Sequence, residues 1–353
     1  MIIRGLRGVG KTVLLNAFEN QAEAEGFMTY YHELVPGSSI VADIARDVQA
    51  ALNRLKLSQR ALGSLRQGLS HLTTIKVAVP GAVELSVDLR KADEGTISRD
   101  LSELFLQAGA IAKSKKSGIV FLLDEVQFVD VVEYRSVITA LHRATQKEMP
   151  ITLAAAGLPQ IPRLTGDARS YAERLFSFPV IGHLSEADAR AALVEPARQH
   201  EVAYAEDAVE RALVWTHGYP FYIQQLGKHA WNHSTGSPIA LADVEAAMPA
   251  AQAALDTSIY EVRIQRATDQ ERRYMRAMAE LGAGPYKSGD VAARLGRKTT
   301  DVSPVRQKLI DKGLVYATED YGHVDFTVPL FNEYMVRHMP YRPPRQVKGK
   351  RQS

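Results

Sequence analysis

The chain of 353 residues contains no cysteine, which rules out disulfides, thiol nucleophiles and cysteine-based zinc sites. It also lacks any uninterrupted apolar stretch long enough to span a bilayer, so no membrane association is expected. The two signs of charge nearly balance: the net charge of +3 is too small to argue by itself for a nucleic-acid partner. What remains, 46% hydrophobic and 24% charged residues, is the make-up of an ordinary globular protein. Its length allows two or three domains. The positive charge is unevenly spread. Arg342, Arg345, Lys348, Lys350 and Arg351 stand in the last stretch without an acid, which reads as a disordered basic tail over 341–353.

Against these absences one octet stands out. Gly5, Leu6, Arg7, Gly8, Val9, Gly10, Lys11 and Thr12 fit the phosphate-binding pattern G-x-x-x-x-G-K-[ST]. A chain of this length would carry it by accident about once in a hundred cases. The glycines let the backbone curl so that successive N–H groups point at phosphate oxygens. Lys11 adds a point charge for the β- and γ-phosphates, and the Thr12 hydroxyl is placed to ligate Mg²⁺. A helix beginning near Lys11 aims its positive end at the same anion. The apolar run Met1-Ile2-Ile3 before the octet and the helix-like residues after it supply the strand–loop–helix context.

The strand ahead of Gly5 is short against the usual five or six residues. Nothing upstream is left to cover the base of a nucleotide. Either the base is held from the other side, or the start is internal. With the loop beginning at residue 5 no signal peptide is expected, and a cytoplasmic location follows as the default.

Strands and helices alternate through the first half. Phe27 to Glu33 reads as a strand and Ser38 to Lys56 as an amphipathic helix. Residues 74–89 break the rhythm, alternating with period two around Pro80-Gly81 as a β-hairpin with one wet face. Its irregular placement makes it the candidate element for an unidentified protein partner. Helix resumes over 96–114. Ile119 to Leu123 is a continuous apolar run, as expected of a strand buried on both faces of a parallel sheet, and it ends in Asp124-Glu125. Val131 to Lys147 is helical, Ile151 to Ala156 a further strand, and Phe176 to Ile181 a fifth. Strands then give way to helices over 185–200, 205–217, 218–233 and 241–266, which suggests a separate helical lid. The final part shows three helices, 268–281, 287–295 and 299–311, and two strands, 314–317 and 324–328. This is the pattern of a winged helix-turn-helix, closed by a helix from about 329 to 338.

Asp124 and Glu125 end a buried strand, where ligands bind in open α/β sheets. Beside a phosphate loop, the Asp at this point holds the Mg²⁺ hydration shell and the Glu orients or deprotonates the attacking water.

The phosphate loop, the Asp124-Glu125 strand, the strand end at Ala155 to Pro159, the Ser170 to Phe176 segment, the helix opening at Gly218-Tyr219-Pro220 and the final winged helix occur in an order that resembles the initiator-type AAA+ ATPases. These are the bacterial and archaeal origin-recognition-like ATPases and their relatives, the signal-transducing STAND ATPases. The resemblance covers most of 1–338. It implies an α/β fold: a P-loop AAA+ parallel-sheet core over 1–182, an α-helical lid over 183–267 and a C-terminal winged helix over 268–340. It also implies an arginine finger reaching a neighbouring subunit's γ-phosphate, at Arg174 or Arg169, and therefore a homo-oligomer in the ATP state. A surface ion pair with Glu173 or Asp167 is the competing reading of those arginines.

Two departures from the pattern bear on mechanism. The lid helix beginning Gly218-Tyr219-Pro220 has no sensing arginine and looks like the STAND arrangement, in which Pro220 lies near the nucleotide; an ordinary first-turn proline is the alternative. The strand end Gly157-Leu158-Pro159 offers no polar γ-phosphate sensor, and Gln160 is a weak substitute. Both departures point to slow hydrolysis. The expected function is an ATP-binding, Mg²⁺-dependent ATPase acting as a nucleotide-controlled switch. The alternative is an initiator or transposition-type adaptor that assembles on duplex DNA through Ser303, Arg306, Gln307 and Lys308 of the winged helix and through the basic tail.

Overall fold

The computed structural model describes residues 1–55, 57–78, 83–90, 92–160 and 175–342. The chain divides into two compact units. The first comprises Met1–Gly5 and Lys11–Val180; the second comprises Leu6–Gly10 and Ile181–Ser353.

The first unit is built on a parallel sheet. Its strands are β1 (Ile2–Arg4), β2 (Met28–Glu33), β5 (Ile119–Asp124) and β6 (Ile151–Gly157), in the spatial order β1-β6-β5-β2. Every residue of β5 is buried, because the strand lies inside the sheet with neighbours on both sides. The continuous apolar run was the right sign of such a strand. Helices α1 (Lys11–Ala24), α2 (Ile40–Arg54) and α5 (Val131–Gln146) pack on the sheet, and α4 (Glu94–Ser114) packs against α2 and α5. Side-chain caps fix where these helices start: Ser39 accepts from Ala42 N, Asp93 from Thr96 N, and Asp130 from Val132 N and Glu133 N.

The expected fifth strand is present only as an irregular edge. Ile2 N donates to Ser177 O (2.8 Å) and Arg4 N to Pro179 O (2.8 Å), with one bridge between Arg4 and Val180. Pro179 has no N–H to give, so a regular ladder cannot form there.

The hairpin is two antiparallel strands, β3 (Ile75–Ala78) and β4 (Glu84–Val87), with a helix α3 (Gln59–Leu69) before it that periodicity did not reveal. The turn at Pro80-Gly81 lies outside the described residues. Polar side chains moor the hairpin to the helices. The Asn53 amide donates to Val83 O and accepts from Val83 N, and Gln49 Oε1 accepts from Leu85 N. Asp100 of α4, with no solvent exposure, accepts from Thr73 N (2.8 Å), Thr74 N (2.7 Å) and Thr74 Oγ1 (2.8 Å). Burial alone would raise the Asp100 pKa, but the donors from Thr74, Thr73 and Arg99 outweigh it and hold the carboxyl below its ordinary value.

The second unit holds two apolar cores. One is formed by the helices Glu186–Arg198, Glu206–Thr216, Pro220–His233 and Leu241–Leu255, around Leu193, Ile223, Leu226 and Val244. The expected single helix over 241–266 changes character: a π-helical stretch, Asp256–Glu261, interrupts it before the short helix Val262–Ile264. The stretch brings Leu255, Ile259 and Tyr260 into the second core. That core is shared by the helices Asp269–Ala279, Ser288–Arg294, Thr299–Asp311 and Phe331–His338 and by an antiparallel sheet of three strands, not the two expected: β7 (Tyr286–Lys287), β9 (His323–Phe326) and β8 (Val315–Ala317), in that order. Thr268 and Glu271 form the capping box that the sequence showed. Among the described residues no helix is long and apolar enough to cross a membrane.

Asp100 generates a test. Because its pKa is lower folded than unfolded, its contribution is complete above about pH 4 and is lost as pH falls through the folded value. Asp100→Ala is expected to destabilise the protein by about 2–4 kcal/mol near neutrality, with the difference from wild type shrinking in acid. Urea unfolding across pH checks both.

Candidate nucleotide site

The octet begins where β1 ends and finishes inside α1. Gly5 N donates to Gly157 O (3.1 Å), fixing the start of the loop to the end of β6. Lys11, the first residue of α1, is 6% exposed, and its Nζ donates to the Gly5 carbonyl (3.1 Å), so the ammonium closes the loop on itself. Thr12 Oγ1 donates to Asp124 Oδ2 at 2.5 Å. The two oxygens expected to hold Mg²⁺ are therefore neighbours, although a long stretch of sequence separates them. A hydroxyl beside a carboxylate is a hard-oxygen donor pair suited to a Mg²⁺ that keeps several waters.

Two residues of this cluster were not singled out in the sequence. Tyr31, on β2, donates its hydroxyl to Asp124 Oδ2 (3.2 Å). Burial first, and the Asp124 charge second, push the Tyr31 pKa up, so the phenol stays a proton donor. Gln127 donates its amide to Glu125 Oε2, and its Oε1 accepts from Leu158 N (3.1 Å). One side chain thus ties Glu125 to the end of β6. Glu125 itself has a left-handed backbone, φ 55°, a conformation that costs energy away from glycine. Its N–H donates to Asp124 Oδ1 (2.8 Å). Tyr31 carried no sequence signal beyond its strand, and Gln127 lies two residues past the acidic pair with no motif to mark it. The Gln160 side chain has a buried Oε1 without a hydrogen-bond partner among the described residues.

The middle of the octet belongs to the second unit. Arg7 N donates to Thr327 O (3.0 Å), Val9 joins the core with Tyr219 and Tyr222, and the Tyr219 hydroxyl donates to Arg7 O. Pro220 is the first residue of its helix, and the residues on either side of it touch the loop. A side chain at Gly8 would come within 3.1 Å of Phe221 Cβ and 3.4 Å of Tyr219 Cε1. Gly8 (φ 81°) and Gly10 (φ 92°) both have positive φ. Arg169, Arg174 and the tail residues 343–353 lie outside the described residues.

Several polar and basic residues in and around the helix Thr299–Asp311 have partners within this part of the chain. Arg306 is half-buried and donates to Ser288 Oγ (3.1 Å), and Lys312 is tied to Glu271 (2.7 Å) and to Arg266 O (3.0 Å). Arg294 pairs with Glu280, Gln307 donates to Asp311, and Ser303 donates to Thr299 O. Carboxylates take up Lys312, Arg294 and Gln307, a hydroxyl takes Arg306, and a carbonyl of the helix takes Ser303. Lys308, Arg297 and Lys298 remain exposed.

Comparison with solved structures matches this architecture to a Walker-type ATPase of Pyrococcus abyssi, with a TM-score of 0.58 and 13% identity over 95% of this chain and 90% of that one. The chain has the fold of a P-loop ATPase. The RuvB Holliday junction branch migration motor of Thermotoga maritima (TM-score 0.44, 15% identity, 97% and 87% of the two chains) and Cdc6p of Pyrobaculum aerophilum (0.44, 13%, 95% and 86%) are also similar. Residues 257–335 match a family described as a domain of unknown function (DUF8462). No curated protein matches the sequence.

Gly8 offers a test within this P-loop fold. Gly8→Ala combines a disfavoured φ with the close approach of Phe221, and is expected to cost about 1–3 kcal/mol. Thermal unfolding reads that loss. Unchanged stability would mean that the loop has room here.

Proposed function

We propose that the protein binds ATP with Mg²⁺ and hydrolyses it slowly, as a nucleotide-controlled switch. The observation that carries this reading is the 2.5 Å hydrogen bond from Thr12 to Asp124, which joins the phosphate loop to the acidic end of β5. The P-loop ATPase fold supports it. Lys11 and the loop N–H groups bind the phosphates. Thr12 and Asp124 hold the ion, which when bound neutralises charge on the transferring phosphoryl. Glu125 accepts a proton from the water that attacks the γ-phosphorus; the bond to ADP breaks, and ADP and phosphate leave. Gln127 engages the same Glu125 carboxylate. A base held by an amide is less available to water, which favours slow turnover and gives the switch a dwell time. Arg174 or Arg169 acts across subunits as a finger, which makes the active form a homo-oligomer. The helices and strands of residues 269–338 form a winged helix. With Arg306 and Lys312 committed internally, this part serves as a regulatory scaffold in preference to a duplex reader.

Five variants test this proposal. Lys11→Ala is expected to lose ATP binding by calorimetry. Glu125→Gln should bind ATP normally while kcat falls about a hundredfold or more. Gln127→Leu, which frees Glu125, should raise kcat; a fall would make Gln127 a positioning residue for catalysis. Turnover per chain should also rise with protein concentration and become flat in Arg174→Ala or in Arg169→Ala. Proportional turnover in every case would remove the finger.

A further inference from the structure

Within the second unit, the helix Asp269–Ala279 and the segment after the helix Phe331–His338 enclose a cavity of 330 Å³. Its size is at the lower end of the range of about 300–1,000 Å³ usual for small-molecule sites. Its wall carries four arginines, Arg272, Arg273, Arg276 and Arg342, against one acid, Asp269. Three of the four come from one helix. Arg272 and Arg276 stand at i,i+4, a spacing at which like charges repel.

These cations are unequally neutralised. Arg276, 6% exposed, donates Nε to Met339 O (2.6 Å) and pairs Nη1 with Glu280 (2.5 Å). Glu280 is shared with a further arginine, Arg294 (3.2 Å). Arg272 donates Nε to Ile264 O (3.0 Å), and its acid, the exposed Asp269, stands 3.8 Å away. Among the described residues, the guanidinium groups of Arg273 and Arg342 have no hydrogen bond or ion pair. The wall that carries Arg342 is itself held in place. The Tyr341 hydroxyl donates to Arg294 O (2.7 Å), and the Tyr341 ring lies between the guanidinium carbons of Arg276 (5.7 Å from its centroid) and Arg294 (5.4 Å).

The cavity thus gathers more positive charge than its own acid balances, on a fixed frame. A carboxylate ligand would offset a single charge. A phosphate monoester carries about −1.5 to −2 at neutral pH and offers three acceptor oxygens, and the guanidinium fork matches their geometry. With Arg276 buried in the wall, the recess admits the end of a small molecule more readily than the backbone of a duplex.

We propose that this cavity is a second anion site, built from residues outside the phosphate loop, that binds the terminal phosphate of a small phosphorylated ligand through Arg272, Arg273, Arg276 and Arg342. It does not rest on the nucleotide reading of the loop. It gives the scaffold proposed for residues 269–338 a ligand of its own.

The experiment measures binding of inorganic pyrophosphate, without Mg²⁺, to the full chain carrying Lys11→Ala, so that the loop does not contribute. One site per chain is expected. Its affinity should fall about ten- to a hundredfold in Arg273→Ala and in Arg342→Ala, the worth of a hydrogen bond to a charged group, and should weaken with added salt. Arg273→Lys should restore only part of the loss, because an ammonium keeps the charge without the fork. Arg273 and Arg342 are exposed, so these variants should keep the thermal unfolding midpoint of their parent. Arg273 lies in a helix, and its effect separates the cavity from the basic residues that follow Arg342. Wild type is measured alongside: there Arg273→Ala should weaken pyrophosphate and leave Mg²⁺-dependent ATP binding unchanged, which keeps the test valid if Lys11→Ala does not fold. Pyrophosphate binding that neither Arg273→Ala nor Arg342→Ala reduces, or no binding to either parent chain, overturns the proposal. Tighter binding of a short DNA duplex, lost in the same two variants, would overturn the small ligand and make a nucleic-acid backbone the source of the phosphate. ATP binding is scored separately, so the loop reading and this one fail independently.

Discussion

The hydrogen bond between the Thr12 hydroxyl and the Asp124 carboxylate is the contact on which the functional reading depends. It exists because β5 is buried along its whole length and can end only at the rim of the sheet, where its first polar side chain meets the first turn of α1. The strand supplies the rigidity and the helix start supplies the hydroxyl. Tyr31 and the Glu125 N–H hold the same carboxylate from other directions. Functional oxygens placed on regular elements are held more closely than oxygens placed on loops.

The fold was largely legible, and the reasons are local. A fully apolar run reads as an inner strand, an amphipathic run such as residues 40–54 reads as a surface helix, and Thr268 with Glu271 announces a helix start. What escaped was either short or set by distant partners. Residues 59–69 carry Gly63 and Gly68 inside a helix, which weakens the periodic signal. The two residues of β7 form a strand only because β9 lies alongside. The change to π geometry at 256–261 follows from which rings reach the core, and no periodicity encodes that.

The candidate site was legible in its motif residues and not in the side chains that touch them. The octet and the Asp-Glu pair announce themselves by composition. Gln127 does not, because its importance comes from bridging Glu125 and Leu158, two positions that only the sheet brings together. In the helix Thr299–Asp311 and at its C-cap the sequence shows the charges but not their partners: Arg306 is engaged by Ser288 and Lys312 by Glu271.

The division of the octet between the two units bears on how the protein can be taken apart. Gly5 and Lys11 belong to the first unit, and Leu6–Gly10 to the second. A fragment ending at Val180 would retain every letter of the phosphate-binding motif, yet it would lack Thr327, Tyr219 and Phe221, on which the motif's middle rests. The motif is contiguous as text and shared as an object. Cutting at the apparent domain boundary would leave a loop with fixed ends and a free centre.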